Sequence, residues 1–294
     1  MITRFTELVG CPLPLQLAAL GGVGSVELAR AVSGAGGLGM VTSHLLTPAF
    51  DEIAGARGIN FTRPDRALVE EVVAAARRAR VIEFFWAEPD AELIKPAQAE
   101  GALVAWQVGS AEEAVAAERA GADLVVAQGV EAGGHVRGRV GLLPLLAAVL
   151  DRVQVPVIAS GGIAHPRTVA GVLAAGAAAV RVGTAFVATD ECDAHDEYKQ
   201  ALLFAQAEDT QLTEAFGGGW PDAPHRVLRS AYEAARAVAP QEEGAWPVAP
   251  PARAFAGDAR QAALYAGQGV GQVTAVKPAA EVAAWLMSTL SAGV

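Results

Sequence analysis

Eight short apolar runs, each closed by a loop and most followed by an amphipathic stretch, predict a (β/α)8 TIM barrel with a C-terminal helical cap. The strand–loop–helix alternation is the first observation behind this. The second is that it stops near Thr189, after which only helical, glycine-rich and proline-rich pieces follow. The third is length, since 294 residues suit one such barrel plus a small appendage.

The opening strand spans Leu13–Leu20 and runs into Gly21-Gly22-Val23-Gly24. A helix over Ser25–Ser33 follows, with Ser25 as its N-cap and Glu27 soon after. Gly34-Ala35-Gly36-Gly37-Leu38-Gly39 comes before the second strand, Leu38–Thr42. That order is the reverse of a dinucleotide fingerprint, so the glycines mark a helix-to-strand turn. Pro48 to Ala54 is a short crossing to the third strand, Gly58–Phe61. Beyond it come a helix over Arg66–Ala79, strands Val81–Phe85 and Ala102–Val108, and a helix over Ser110–Ala120 capped by Ser110. The sixth strand, Leu124–Gln128, precedes a helix over Leu142–Arg152. The seventh, Pro156–Ser160, and the eighth, Ala179–Gly183, are joined by a helix over Pro166–Ala175, long enough for a right-handed crossover.

The tail reads as helices over His195–Ala207, Arg226–Ala239 and Ala279–Leu290. Gly217-Gly218-Gly219-Trp220-Pro221 and the proline-rich Pro240–Pro251 interrupt them. Residues 1–190, closed by 258–294, are expected to form the barrel, and 191–257 a helical cap over its mouth.

Hydrophobic residues make up 52% and charged ones 18%, which is ample for a large core. A net charge of −10 argues against nucleic-acid binding, which depends on clustered Lys and Arg, but leaves room for an anionic ligand held by backbone N–H groups. No apolar run is long enough to span a bilayer, and Met1-Ile2-Thr3-Arg4-Phe5 lacks the apolar core of a secretory leader. Two cysteines, Cys11 and Cys192, make no disulfide framework, which favours a reducing, cytoplasmic setting. A homodimer is a possible assembly.

Candidate chemistry concentrates at the predicted C-terminal strand ends. Gln128-Gly129-Val130-Glu131-Ala132-Gly133-Gly134-His135 puts an imidazole on a loop whose glycines let backbone approach a flat ligand. A ring nitrogen that titrates near neutrality suits a proton acceptor. Ser160-Gly161-Gly162-Ile163-Ala164 and Gly183-Thr184 occupy the seventh and eighth loops, where barrels frequently bind phosphate. Asn60 either points its amide into the mouth or serves a turn, and Gln16, mid-strand, needs a buried partner or ligand. Trp86 and Trp106 read as core or mouth aromatics. Of the remaining histidines, His44 follows a strand end, His165 is a loop residue, and His195 and His225 open tail helices in capping or packing roles. No histidine pair has metal-ligand spacing and no cysteine lies near one, so a zinc site is disfavoured. No nucleophilic-serine elbow is present.

These pieces together resemble the nitronate monooxygenase family, formerly grouped as 2-nitropropane dioxygenases. The likeness is carried by Leu15 to Met40, Gly58-Ile59-Asn60-Phe61, Ala127 to His135, Pro156 to Ala164, Gly183-Thr184, Tyr198-Lys199 and Tyr265-Ala266-Gly267-Gln268-Gly269. The resemblance implies an FMN-dependent barrel with His135 as the catalytic base. It implies flavin phosphate on Gly161, Gly162, Gly183 and Thr184, and the ring system beside the opening strand, at Ala18 and Ala19, and Gln128. Asn60, Gly133, Gly134, Ser160, Tyr265 and Gln268 complete the implied cofactor contacts. Where the family has Ala-Pro-Met near the end of the opening strand, Leu17-Ala18-Ala19-Leu20 stands here. The second and third βα units look abbreviated, and Trp106-Gln107-Val108 departs from the small residues and threonines expected there. These departures bear on the substrate pocket more than on the flavin.

The implied activity is oxidation of alkyl nitronates, and of nitroalkanes, by O2 to carbonyl compounds and nitrite. The alternatives are NAD(P)H-dependent reduction of an enoyl thioester on the same kind of barrel, and a non-catalytic flavin or phosphate-ligand binding module.

Overall fold

The computed structural model describes residues 1–291. Its strands in chain order are β1 (Leu15–Leu17), β2 (Gly39–Thr42), β3 (Arg57–Thr62), β4 (Val81–Phe85), β5 (Leu103–Val108), β6 (Leu124–Gln128), β7 (Gly134–His135), β8 (Val157–Ser160), β9 (Ala179–Val182), β10 (Thr210–Thr213) and β11 (His225–Leu228). Eight of these form one parallel sheet in the order β1-β9-β8-β6-β5-β4-β3-β2. A bridge between Gln16 and Leu38 joins its two ends, with Leu17 N–H donating to Leu38 O at 3.0 Å and Leu38 N–H to Leu15 O at 2.8 Å. The sheet therefore closes into the expected barrel.

Local signals account for the helices. Ser25 accepts from Leu28 N–H at 2.9 Å and Ser110 from Glu113 N–H at 3.1 Å, each satisfying a first-turn donor that the helix cannot. Gly121 ends the Ala111–Ala120 helix with a left-handed φ of 107°, which a Cβ would oppose. The crossing after β2 is as short as its sequence suggests, a single turn over Pro48–Asp51. The opening strand is shorter than expected, because its ladder covers only Leu15–Leu17 before the chain turns through Ala18-Ala19-Leu20.

Side-chain alternation sorts the barrel's contents. Phe61, Phe84 and Trp106 sit side by side on neighbouring strands, with ring centroids 6.0 and 5.0 Å apart. Their neighbours in sequence, Asn60, Glu83 and Gln107, face the opposite side, where Asn60 meets Glu83 directly and Gln107 is joined to Glu83 through Arg181. The aromatic face packs outward with the large apolar cluster, while the interior is polar.

The tail is not helical throughout. Residues read as the start of a helix at Arg226 instead form β11, which pairs antiparallel with β10. The helix begins only at Arg229 and runs to Val238. β11 also pairs with β7, setting His225 opposite His135. A tail strand thus hydrogen-bonds to the histidine loop of the barrel. Ala215, Phe216, Val227, Ala235, Trp246 and Ala263 form a small second core beneath this sheet.

Candidate active site

A cavity of about 320 Å³ opens at the C-terminal ends of the barrel strands. Twelve of the thirteen implied cofactor positions line it, together with His135. From the barrel come Ala18, Ala19, Asn60, Gln128 and Ser160; from the histidine loop, Gly133 and Gly134; from the late loops, Gly161, Gly162, Gly183 and Thr184; from the tail, Tyr265. Gln268 is not brought into this group. It lines an adjoining cavity behind Gly161 and Gly162, and its backbone N–H donates to Glu131 O at 2.9 Å.

The floor is the polar barrel interior. Glu83, fully buried on β4, accepts from Gln16 Nε2 at 2.5 Å and Asn60 Nδ2 at 2.9 Å, and pairs with Arg181 Nη2 at 2.9 Å. Asn60 in turn accepts from the Thr62 hydroxyl at 2.8 Å, and Arg181 Nη1 donates to Gln107 Oε1. The Asn60 amide therefore lies in the barrel rather than in a turn. Gln16 Oε1 and Arg181 Nε are left without protein partners despite their burial. Arg181 and Gln107 both line the cavity, so charge and amide groups bound it from below.

Part of the lining is a cradle of backbone N–H groups. The N–H groups of Gly161, Gly162, Ile163 and Ala164 find no acceptor among the described residues, though Ile163 and Ala164 are buried and all four line the cavity. Buried N–H groups without partners are rare in folded proteins. Gly161 and Gly162 have φ of 115° and 67°, the left-handed region that suits glycine. A Cβ on Gly161 would stand 3.0 Å from Gly129 O, and one on Gly162 would stand 3.1 Å from Glu131 Cβ. Gly183 and Thr184 line the same cavity. The Thr184 hydroxyl accepts from Gly267 N–H at 3.0 Å, tying the tail to the barrel at this point. Unpaired donors at the head of a helix, in glycine-walled space, fit the phosphate of a flavin nucleotide.

Another part of the lining is aromatic. His135 lies nearly flat against Trp220, with ring centroids 3.8 Å apart and 17° between planes. Trp86 meets it edge-on at 5.9 Å, and Tyr265 and His225 lie 5.7 and 5.3 Å away. Its Nε2 is buried and makes no hydrogen bond. Burial first, then the adjacent His225, pushes the His135 pKa down to about 3, so at ordinary pH the imidazole is neutral and a weaker base than a free histidine. The loop is clamped from within the barrel, because Gln128 Nε2 donates to His135 O at 2.9 Å and Gln128 Oε1 accepts from Arg137 N–H at 3.3 Å.

His225 corrects its expected role in opening a tail helix. It is a buried strand residue whose Nε2 accepts from Phe216 N–H at 3.2 Å and whose Nδ1 lies 2.9 Å from Ala223 O. His195 caps its helix as expected, His165, expected as a loop residue, is the N-cap of the Pro166–Ala174 helix, and His44 is exposed and outside the cavity. Burial pushes the thiols of Cys11 and Cys192 up to about 11, which makes both poor nucleophiles.

Sequence reasoning missed Glu83, Arg181 and Trp220. A lone charge in each of Val81-Ile82-Glu83-Phe84-Phe85 and Ala179-Val180-Arg181-Val182 was a usable signal, since buried charges come paired.

Known proteins bear on this geometry. The curated (3aS,4S,5R,7aS)-5-hydroxy-7a-methyl-1-oxo-octahydro-1H-indene-4-carboxyl-CoA dehydrogenase of Rhodococcus jostii is 35% identical over 240 residues, covering 78% of this chain. The chain spans 66% of that relative's length. The solved structure of FabK from Thermotoga maritima superposes with a TM-score of 0.87 at 31% identity, covering 99% of this chain and 97% of that one. Nitroalkane oxidase from Streptomyces ansochromogenes superposes at 0.80 with 32% identity, covering 99% and 100%. The family model described as nitronate monooxygenase matches residues 55–288, which include the histidine loop, the glycine cradle and the tail strand that holds them together. By that match the chain belongs to the nitronate monooxygenase family.

Proposed function

We propose that this chain is an FMN-dependent oxidoreductase that converts small alkyl nitronates, with O2 as oxidant, into carbonyl compounds and nitrite. The observation that carries the reading is the neutral, unpartnered His135 Nε2 at a cavity that a cradle of unpaired N–H groups also lines. A flavin held there supplies the electron acceptor and the route to O2 that the side chains lack.

The protein's own residues then have separate tasks. Gly161, Gly162, Ile163, Ala164, Gly183 and Thr184 hold the phosphate. Ala18, Ala19, Gln128 and Ser160 would border the ring of a bound flavin, and Arg181 and Asn60 line the cavity from below. His135 takes the α-proton when a neutral nitroalkane enters, and orients the anion when a nitronate is offered directly. The aromatic wall and the tail keep water from the imidazole, which strengthens every polar contact made inside.

The test is direct. Purified protein should be yellow, and should release nitrite from propionate-3-nitronate and from a nitroalkane in air. His135→Asn should lose nitroalkane oxidation and retain much of the nitronate reaction. Failure to bind flavin after reconstitution with FMN removes the basis of the reading. A second reading, NAD(P)H-dependent reduction of an enoyl thioester, draws on the carboxyl-CoA substrate in the name of the Rhodococcus relative. Rapid anaerobic bleaching of the flavin by NADPH or NADH, without nitrite release, would select it.

A further inference from the structure

Three non-glycine residues have left-handed backbones among the described residues, and two of them meet at one side chain. Arg63 (φ 55°) and Trp86 (φ 65°) both touch Trp220, and Asp222 (φ 54°) lies two residues beyond it. For large side chains this conformation is strained by about 1–3 kcal/mol each, and it persists only where surrounding contacts force it. The contacts here are visible. Arg63 Nη1 donates to Gly219 O at 2.9 Å, and its guanidinium carbon stands 5.6 Å from the centre of the indole. Trp86 meets the same indole edge-on at 5.2 Å and 85°.

The backbone leading to Trp220 is seated as firmly. A Cβ on Gly217 would stand 2.6 Å from Gly244 O, and one on Gly218 2.7 Å from Ala245 O, so this stretch lies directly against the segment at 244–246. Gly218 N–H donates to Trp246 O at 2.9 Å. The indole so held lies 3.8 Å from the imidazole of His135, with 17° between the planes.

We propose that Trp220 is the positioning residue for His135: a flat wall, clamped by Arg63 and Trp86, that fixes the plane of the imidazole and keeps water from its face. This deepens the reading of His135 as the proton-handling group and rests on it.

The groups facing the imidazole are few. His225 comes from β11 and Tyr265 from the tail segment that follows it; Trp86 comes from the end of β4 and Trp220 from the glycine loop. Arg137 lies over the Trp86 ring at 5.9 Å and carries its own carboxylates, Glu88 at 2.6 Å and Glu113 at 2.7 Å. Arg63 stands behind Trp220. With the indole gone, water reaches the ring face while these charges remain where they were, so the imidazole should regain basicity.

The experiment follows the His135 ring proton by NMR against pH on purified protein without substrate, with the resonance assigned by its loss in His135→Asn. In the wild type it should stay flat from about pH 5 to 8. In Trp220→Ala it should titrate within that window, and Trp220→Phe, which keeps a flat ring, should restore the flat profile. If Trp220→Ala does not fold, Trp220→Leu takes its place, being apolar but unable to stack. In turnover the same variant should lose roughly tenfold or more in kcat, with KM changed less than about threefold, and phenylalanine should recover most of the loss. A flat profile in the alanine or leucine variant overturns the proposal, as does a phenylalanine variant no better than alanine. Absence of nitrite from the wild type would instead overturn the functional reading, and the titration alone would then decide the role of Trp220.

Discussion

Replacing Glu83 by Gln is the sharpest test of the barrel interior. Three donors converge on its two oxygens: Gln16 Nε2, Asn60 Nδ2 and Arg181 Nη2. A glutamine amide offers one oxygen, which can keep Asn60 and Arg181 while its NH2 turns towards Gln16. Because Gln16 Oε1 has no partner, that amide can flip and accept, so this contact survives. What is lost is the charge opposite Arg181, which is only 7% exposed. Removing one partner of a buried pair costs about 3–5 kcal/mol, and the preserved amide contact places the expectation near the lower end, about 3 kcal/mol. Urea unfolding followed by circular dichroism would report it as a lower midpoint at unchanged slope. Glu83→Gln combined with Arg181→Met removes both charges and should recover at least half of the loss, since Gln107 and Asn60 keep amide partners or meet the cavity. A single-variant cost below about 1 kcal/mol, or a double variant as unstable as the single one, would refute the reasoning.

Other outcomes follow from the same geometry. Gly133→Ala drives a Cβ to 2.5 Å from Gly267 N and 2.7 Å from Ala266 C, backbone atoms that cannot yield cheaply. It should cost about 1–3 kcal/mol and loosen flavin retention on gel filtration. The protein should also lose stability in acid through His135 and His225, both lowered chiefly by burial. Unfolded imidazoles bind protons below their ordinary 6.5 while the folded ones do not, so this contribution is complete above that pH and declines as pH falls towards about 3. The slope from His135 is at most about 1.4 kcal/mol per pH unit, and His135→Asn should flatten the difference between urea midpoints at pH 7 and pH 5.

Much of this was legible in the chain because it depends on neighbours in sequence. Ser25 and Ser110 announce helix starts, and Gly133-Gly134 and Gly161-Gly162 announce backbone that must approach something closely. His135 was readable for that reason. Glu83 and Arg181 were not, because they belong to strands four places apart in the barrel order and meet only once the sheet has closed. Trp220 follows three glycines and looks like the end of a turn; its stacking depends on the tail returning over the mouth. At Arg226-Val227-Leu228 helical periodicity lost to strand pairing, since both β10 and β7 offered free edges there.

That pairing has a consequence for how such enzymes diversify. Because β11 pairs with Gly134 and His135, the appendage is part of the scaffold that places the His135 ring. Grafting a foreign cap onto this barrel to widen its substrate range would unseat the very group the graft needs, unless the donor segment brought a strand in the same register. The stretch before Trp246 is no freer to change, because Gly217 and Gly218, which lead to Trp220, lie directly against it.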